Sequence, residues 1–302
     1  MESENQRDFA YATEIADIPK GDRYADIPLY GRYGPKCDDF KPLTQHVNSS
    51  APESLRYWED VLSRLGDSNI VYKNELDEDG RDVFALGTLI IKSGHLHAAP
   101  TRDYSLNDAN EVAAIDLARK PLGELDIAVP DIYFTGKLLG RDVIIQQRMP
   151  GVGMNIASQY LDIETMESFK KQARIALKAL QDIEPPPGYL SRSYVVPAPD
   201  PVKNHRIRQE EADILFSERN GDDDLSLMHN DFTQSNCIVK DGKITALIDW
   251  EMAGFFGLKT AGKVHEEIRS PRRQGYAHLE GREEYVEILR KMFFWQDLYR
   301  ID

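Results

Sequence analysis

The residues with the clearest chemical potential lie in one stretch of the second half of the chain. It begins with His229-Asn-Asp-Phe-Thr-Gln-Ser-Asn236, passes through a Lys-Asp-Gly-Lys turn, and ends with an apolar run that carries Asp249. The pattern predicts a β-hairpin, which would bring Asn236 and Asp249 together although they are thirteen positions apart. Asp231 would point into the same space. One carboxylate to accept or orient a hydroxyl, with a second carboxylate and an amide oxygen to hold Mg²⁺, is the set of groups that phosphoryl transfer requires.

The stretch resembles the aminoglycoside phosphotransferase-like family, a branch of the protein-kinase-like fold. Members usually show His-Gly-Asp-Leu, then Asn with apolar residues, and later Ile-Asp-Trp-Glu. This chain differs at Asn230 and Phe232 and keeps the three positions that carry the chemistry. The run 257–269 is similar to the continuation seen in fungal-type members.

The resemblance implies a role for each of these residues. Asp231 would be the catalytic base, Asn236 and Asp249 would be the Mg²⁺ ligands, and His229 would orient the loop. The implied reaction transfers the γ-phosphoryl group of ATP, with Mg²⁺, to a hydroxyl of a small molecule. The sequence does not identify this acceptor.

The resemblance also implies nucleotide-binding residues in the first half of the chain. A kinase-like fold needs a strand lysine near the phosphates and a helix glutamate that pairs with it. Lys92 ends an apolar strand and Glu111 lies nineteen positions further on, in a predicted helix. The run 144–151 is similar to the family's hinge, in which Gln147 and Met149 would present backbone groups to adenine.

One departure from the kinase pattern favours a different reading. No Gly-x-Gly-x-x-Gly covers the phosphates, and the equivalent loop 74–81 carries Glu75, Asp77, Glu78 and Asp79. Acidic groups would repel a triphosphate unless they point outward. A non-catalytic, pseudokinase-like binding protein of the same fold is therefore the alternative, although the retained catalytic positions favour an enzyme.

Three weaker signals have ordinary explanations beside the functional ones. A hydrolase or metalloenzyme built on His229 and Asp231 lacks a nucleophile motif and a complete ligand set. His95 and His97 alternate as metal ligands on a strand do, but without a third ligand nearby they fit an exposed loop. The acids at 222–224 could attract a cationic substrate or form a solvated turn.

Charge and composition exclude several classes of protein. The 302 residues include 51 acidic and 37 basic side chains, a net charge of −14, which disfavours binding to nucleic acid or to an anionic membrane. A hydrophobic content of 41% is enough for a sizeable core. Small molecules remain as partners, and the oligomeric state stays open.

The cysteines and the apolar runs indicate a compartment. Cys37 and Cys237 belong to no spaced motif, which fits a reducing environment. The first residues are polar and acidic, and the longest apolar run, 84–91, is far shorter than the roughly 20 residues that span a bilayer. We therefore expect a cytoplasmic protein.

The elements that must position these residues predict an α+β fold with two lobes. Short β-branched runs at 70–72, 83–86, 89–92, 132–134 and 143–147 indicate a small antiparallel sheet, interrupted by a helix at 107–119. A helix after Asp162, a hairpin near 237–248 and a helix at 285–298 follow, and 149–153 is predicted to be a break.

These runs divide the chain into three parts. Residues 1–65 form an extension, draped over a domain or loose, with a leading helix after Pro52. Residues 66–146 form the nucleotide-binding N-lobe, an antiparallel sheet with one helix. Residues 147–302 form the larger, mainly helical C-lobe, which carries catalysis and substrate binding.

Overall fold

The computed structural model describes residues 13–73, 80–98, 102–188, 191–222, 224–271 and 285–301. The strands are β1 (Arg32–Tyr33), β2 (Ile70–Tyr72), β3 (Asp82–Leu86), β4 (Leu89–Ser93), β5 (Ile132–Leu138), β6 (Arg141–Gln147), β7 (Gly151–Gly153), β8 (Ser193–Tyr194), β9 (Leu227–Met228), β10 (Cys237–Lys240), β11 (Lys243–Leu247) and β12 (Gly254–Phe255). The helices are α1 (Pro52–Ser63), α2 (Ser105–Gly123), α3 (Met154–Ala157), α4 (Ile163–Gln181), α5 (Gln209–Leu215), α6 (Leu258–Val264) and α7 (Tyr285–Phe293). The four acidic residues of the predicted loop 74–81 lie outside the described residues.

A five-stranded antiparallel sheet forms the first lobe, in the order β2-β3-β4-β6-β5. Its strands are rich in β-branched and aromatic residues, which pack well on a pleated surface. The turn between β3 and β4 needs Gly87, which has φ +53°, because a Cβ there would lie 2.4 Å from the backbone nitrogen of Phe40. The predicted sheet is present, and α2 extends beyond the predicted helix 107–119 at both ends.

Helix α1 covers the face of this sheet. It begins at Pro52, as predicted, and buries Trp58, Val61 and Leu62, which lie on one helical face. The indole N–H of Trp58 donates to the carbonyl of His46, 3.0 Å away. The leading helix is therefore part of the core of the first lobe.

A second sheet, in the order β1-β7-β10-β11, corrects the prediction that 149–153 is a break. Gly151 has φ +129°, and a Cβ there would approach Val239 O to 2.8 Å. The glycines that indicated a break instead let β7 fit between β1 and β10, with Val152 opposite Arg32 and Val239. Three residues are too few for a strand periodicity.

The second lobe is built around α4, whose apolar face includes Met166, Phe169 and Leu180. Asp162 caps this helix as predicted, because its Oδ1 accepts a hydrogen bond from Thr165 N at 2.8 Å. Trp250 packs into the same core. Helix α6 continues as a π-helical turn, His265–Arg269.

The described part of the N-terminal extension is packed against both lobes. Strand β1 pairs with β7, and Thr88 donates from its backbone to Phe40 O at 2.9 Å. Arg148, just after β6, donates to the carbonyls of Leu29 and Arg32 at 3.1 and 2.9 Å. The extension thus drapes over the molecule from residue 13 onward.

These elements form the α+β, two-lobed arrangement of the protein-kinase-like fold that the resemblance implied. A cleft separates the five-stranded sheet from the segments that carry Asp231 and Asp249. The boundaries 66–146 and 147–302 stay predictions. Among the described helices, none combines the length and apolar character needed to cross a bilayer.

Candidate active site

Lys92 on β4 forms ion pairs with two carboxylates in the cleft. Its Nζ lies 2.7 Å from Glu111 Oε2 on α2 and 2.6 Å from Asp249 Oδ1. Burial opposes the charge on Lys92, but the two carboxylates outweigh burial and raise its pKa. Burial likewise opposes the charge of Asp249, yet Lys92 holds the pKa of that carboxyl below its usual range. The predicted pair of Lys92 and Glu111 therefore forms, and Asp249 joins it.

Glu111 itself is fully buried. Burial raises its pKa to about 7, although Lys92 acts in the opposite direction. The neighbouring Asn110 fixes this part of α2, because its Nδ2 donates to the carbonyls of Glu251 and Ala253 at 2.9 and 3.0 Å. The helix of the first lobe is thus held by hydrogen bonds against the segment that follows Asp249.

The predicted hairpin brings Asn236 and Asp249 together. Strands β10 and β11 pair with Cys237 opposite Leu247, and Ile248 N donates to Asn236 O at 3.0 Å. Asp249 follows with φ 65° and ψ 64°, a left-handed conformation that is uncommon outside glycine. This backbone turn directs the chain back toward α2 and leaves Asp249 at the cleft.

Asp231 lies on the loop between β9 and β10, after Asn230, which also has a left-handed φ of 63°. Asn236 Nδ2 donates to the backbone oxygen of Asp231 at 2.9 Å and to its Oδ2 at 3.1 Å. Burial raises the pKa of Asp231 to about 6, and Arg269 partly opposes that rise. The loop therefore holds a carboxylate that can take up a proton near neutral pH.

His229 links this loop to the hairpin, as the resemblance implied. Its Nε2 lies 3.0 Å from the carbonyl of Ile248, to which it must donate, and its Nδ1 accepts from Asp231 N at 3.3 Å. Burial lowers the pKa of His229 to about 4. The imidazole is neutral and connects the backbone of Asp231 with that of the residue before Asp249.

A second ion-pair triad was missed by the sequence reasoning. Arg269, at the end of the π-helical turn, has Nε 3.2 Å from Asp231 Oδ1, and one terminal nitrogen 2.5 Å from Glu211 Oε1 on α5. Both Glu211 and Arg269 are largely buried. No local pattern joins Arg269 to Asp231, since they are 38 positions apart and on different elements.

A cluster of three carboxylates, two of which line the cleft, suits a metal ion. Oxygen atoms of Glu111, Asp249 and Glu251 all lie within 4.8 Å of one another. Asn236 adds an amide oxygen to the same cleft. These are the hard oxygen donors that Mg²⁺ prefers, so the residues present fit that ion. Glu251 was not predicted, although it stands two positions after Asp249.

Arg81 is a further cation that the prediction did not include. It lies 2.6 Å from Asp108 Oδ1 and 3.6 Å from Glu251 Oε2, and the same guanidinium stacks over Tyr104 at 4.3 Å. Desolvation opposes its charge, but Asp108 outweighs that and raises its pKa. Arg81, the last residue of the predicted loop 74–81, therefore places a positive charge in the lining of the cleft.

The cleft has a volume of about 450 Å³. Its lining includes most of the predicted site residues: Lys92, Gln147, Met149, Asp231, Asn236 and Asp249. The seventh predicted site residue, Glu111, does not line the cleft but contacts Lys92. The backbone N–H of Gln147 donates to Asp131 O at 2.8 Å and is therefore engaged within the protein.

The family model of the phosphotransferase enzyme family matches residues 101–255, just over half of the chain. The chain belongs to this family. The matched range contains the loop with Asp231 and the hairpin with Asn236 and Asp249. It ends before Arg269 and begins after Lys92. No curated protein sequence matches the chain.

Solved structures of phosphotransferases are similar at low identity. A streptomycin–ATP complex of APH(2")-IIa is 14% identical, with 73% of this chain and 76% of that chain covered and a TM-score of 0.43. A thermostable mutant of the aminoglycoside phosphotransferase APH(4)-Ia is 13% identical, with 69% and 75% covered and a TM-score of 0.45. The macrolide 2'-phosphotransferase MphH from Brachybacterium faecium is 19% identical, with 82% and 91% covered and a TM-score of 0.38.

The weaker sequence signals have structural roles. His97 lies 3.0 Å from Asp82 Oδ2, and within the described ranges only the cluster of Glu111, Asp249 and Glu251 groups three metal-binding side chains. Asp222 is buried and accepts a hydrogen bond from Lys259 N at 2.7 Å in the first turn of α6. Asp222 therefore caps a helix rather than forming a solvated turn.

Proposed function

We propose that this member of the family is an ATP- and Mg²⁺-dependent kinase that phosphorylates a hydroxyl of a small molecule. The observation that carries the proposal is the convergence of Lys92, Asp231, Asn236 and Asp249 on one cleft. They come from a strand, a loop and the two sides of a hairpin. Charged groups converging in a concave site of this size are typical of an active site.

In the proposed reaction Asp231 accepts the proton of the acceptor hydroxyl as the oxygen attacks the γ-phosphorus, and the bond from that phosphorus to the β,γ-bridging oxygen breaks to release ADP. Burial has already raised the pKa of this carboxyl to about 6, which suits a base that works near neutral pH. Asn236 holds Asp231 Oδ2 in place through its Nδ2. His229 fixes the loop from the other side.

Lys92 would contact the phosphates of ATP, and Glu111 would hold its ammonium group in position. In the present arrangement Lys92 also contacts Asp249, and phosphate oxygens could take over that contact. Asn236 and Asp249 would hold Mg²⁺, with Glu251 close by. The ion, when bound, neutralises the charge of the phosphate oxygens.

The adenine would lie against the hinge between β6 and β7, near the backbone of Gln147 and Met149. Both residues line the cleft beside the sheet. The division into an N-lobe, 66–146, and a C-lobe, 147–302, follows from this assignment. The cytoplasmic location stays a prediction from the sequence.

The proposal is tested by ADP release from the purified full chain with MgATP and a panel of hydroxylated amines, sugars and secondary metabolites. We expect release that depends on one acceptor class, and none above background with Asp231→Asn. Acceptor-dependent release that Asp231→Asn leaves unchanged would contradict the mechanism.

The alternative, a pseudokinase-like binding protein, rests on the acidic residues at positions 75–79. A binding measurement distinguishes it from the kinase. A ligand that binds the folded state raises its stability by mass action. We expect millimolar MgATP to raise the melting temperature, and Lys92→Met to reduce that rise. No rise with MgATP would favour a protein that has kept the fold for another ligand.

A further inference from the structure

A second cavity, of about 400 Å³, lies beside the loop 229–236, the catalytic loop of the proposed function, and is lined by no residue of the five-stranded sheet. It shares Tyr30 and Ser235 with the nucleotide cleft, so these two residues separate the two spaces. Thr233 and Gln234 of the catalytic loop also line it. The cavity is therefore adjacent to the residues that hold Asp231.

Arg269 connects this cavity to the base. Its side chain lines the cavity, and its Nε lies 3.2 Å from Asp231 Oδ1. A molecule in the cavity would contact Arg269, which lies against Asp231.

The charge of the lining differs from what the chain's net charge of −14 would suggest. Among the described residues, the lining contains no aspartate or glutamate, and its charged side chains are Arg23, Arg269 and Lys291. His265 is neutral, because burial lowers its pKa and its Nε2 donates to Trp295 O at 2.8 Å.

The positive charge of Lys291 is only weakly compensated. Its Nζ lies 3.7 Å from Glu287 Oε1, and the Glu287 side chain is half exposed, so water screens that pair. Arg269, in contrast, is neutralised by Asp231 and Glu211. Among the described residues, the least compensated positive charge of this lining is therefore that of Lys291 on α7 and Arg23 on the N-terminal extension.

The wall formed by the extension is fixed. Asp22 and Arg32 form an ion pair that is almost fully buried, and the hydroxyl of Tyr160 donates to the same carboxylate. The rings of Tyr24 and Tyr30 lie 5.1 Å apart, and Asn155 Nδ2 donates to the Tyr30 hydroxyl at 3.3 Å. Segment 22–33 therefore presents two aromatic rings and one arginine to the cavity.

We propose that this cavity is the acceptor site, walled on one side by segment 22–33, and that it selects a hydroxyl compound carrying an anionic group over a polycation. This inference rests on the proposed function, because a cavity can be an acceptor site only if the protein transfers a phosphoryl group. The reasons are the lack of carboxylates in the described lining, the surplus charge of Arg23 and Lys291, and the contact of Arg269 with the base. A polycationic sugar would meet no carboxylate among the described lining residues and would be repelled by both side chains.

The charge preference is tested by binding, with turnover measured separately. Glucuronate, glucose and glucosamine share a hydroxylated ring and differ in charge, and streptomycin serves as the polycation. Dissociation constants are measured by calorimetry with the unsubstituted full chain saturated with MgADP, which carries no γ-phosphoryl group, so that turnover does not interfere. We expect glucuronate to bind at least tenfold more tightly than glucosamine or streptomycin.

Variants of the lining residues then test whether the preference for glucuronate arises in this cavity. Lys291→Gln and Arg23→Gln are each expected to reduce the preference for glucuronate about threefold to tenfold and to leave the affinity for MgADP unchanged. Lys243→Gln, on the exposed end of β11, is the matched control and should have no effect. A preference that survives both cavity variants overturns the assignment.

The remaining outcomes are also decisive. Equal binding of the three ring compounds, tighter binding of glucosamine or streptomycin, or no measurable binding of glucuronate overturns the inference about charge. If glucuronate binds to this site but the unsubstituted protein transfers no phosphate, the inference about charge is supported and the proposed function is contradicted. The two failures can therefore be told apart.

Discussion

Two triads with the same charge pattern reach the cleft, and each has a cation between two carboxylates. In the first, Lys92 lies between Glu111 and Asp249. In the second, Arg269 lies between Glu211 and Asp231. In both, the outer glutamate comes from a helix and the inner aspartate lines the cleft.

The two triads differ in the cation. A lysine ammonium is compact and rotates freely, so Lys92 can exchange Asp249 for phosphate oxygens without losing Glu111. An arginine is planar, and its separate nitrogens contact the two acids at once. Under the proposed function, the first triad would rearrange when nucleotide binds, whereas the second would keep Asp231 in one orientation.

The largest expected effect follows from removing Asp231, the proposed base. Asp231→Asn keeps the shape of the side chain but cannot accept a proton, so we expect kcat to fall by about 10³-fold. The affinity for MgATP should change less than threefold. Steady-state kinetics and calorimetry measure the two quantities, and Asp241→Asn, in the exposed turn of the hairpin, is the control. A small loss of kcat would mean that Asp231 is not the base.

The division of labour between the triads is tested by exchanging each cation for methionine. Lys92→Met removes charged hydrogen bonds worth about 1.5–3 kcal/mol, so we expect kcat/KM for ATP to fall roughly 10- to 100-fold. Arg269→Met should lower kcat/KM for the acceptor by roughly tenfold and leave the affinity for MgATP nearly unchanged. If both variants changed kcat/KM for ATP equally, the two triads would not differ in function.

The outer glutamates test whether both triads also support the fold. Glu111→Gln and Glu211→Gln each weaken one charge-assisted contact in a buried site, and we expect a loss of about 1–3 kcal/mol in the free energy of unfolding. Urea denaturation measures this loss. Glu210→Gln, exposed on the same helix as Glu211, is the control and should stay within about 0.5 kcal/mol of the original protein.

The smallest effect concerns His229, which links the backbones of the two triads. Its pKa is lowered to about 4 by burial, against 6.5 in an unfolded chain, so the unfolded state binds more protons between these values. The stability from the neutral imidazole is present above pH 6.5 and is lost as the pH falls toward 4. Between pH 7.5 and 5.5 this loss is about 1 kcal/mol.

The measurement compares the original protein with His229→Gln by urea denaturation at both pH values. We expect the variant to be less stable at both pH values. The stability that it loses between pH 7.5 and 5.5 should be smaller than the loss in the original protein by about 1 kcal/mol. An identical pH dependence in both proteins would show that the imidazole is not held neutral.

The pair of Lys92 and Glu111 in the first triad was predictable from the resemblance, because a kinase-like fold places a lysine on a strand and a glutamate on the helix that follows. Lys92 ends a β-branched run, Glu111 lies on a helix with a recognisable pattern, and Asp249 follows an apolar strand. Glu251 could have been found, since it stands in the same motif as Asp249. Strand β7 could not have been found from the sequence, because two glycines in three residues are typical of a turn.

The sequence by itself determined the α+β architecture, the hairpin that joins Asn236 to Asp249, and the loop that carries Asp231. Each depends on short-range periodicity or on residues close along the chain. Only the tertiary structure decided that Arg269 contacts Asp231 and that Tyr30 of the extension lies between two cavities. Contacts between distant segments leave no local pattern, because they depend on how the elements pack and not on the propensity of any one of them.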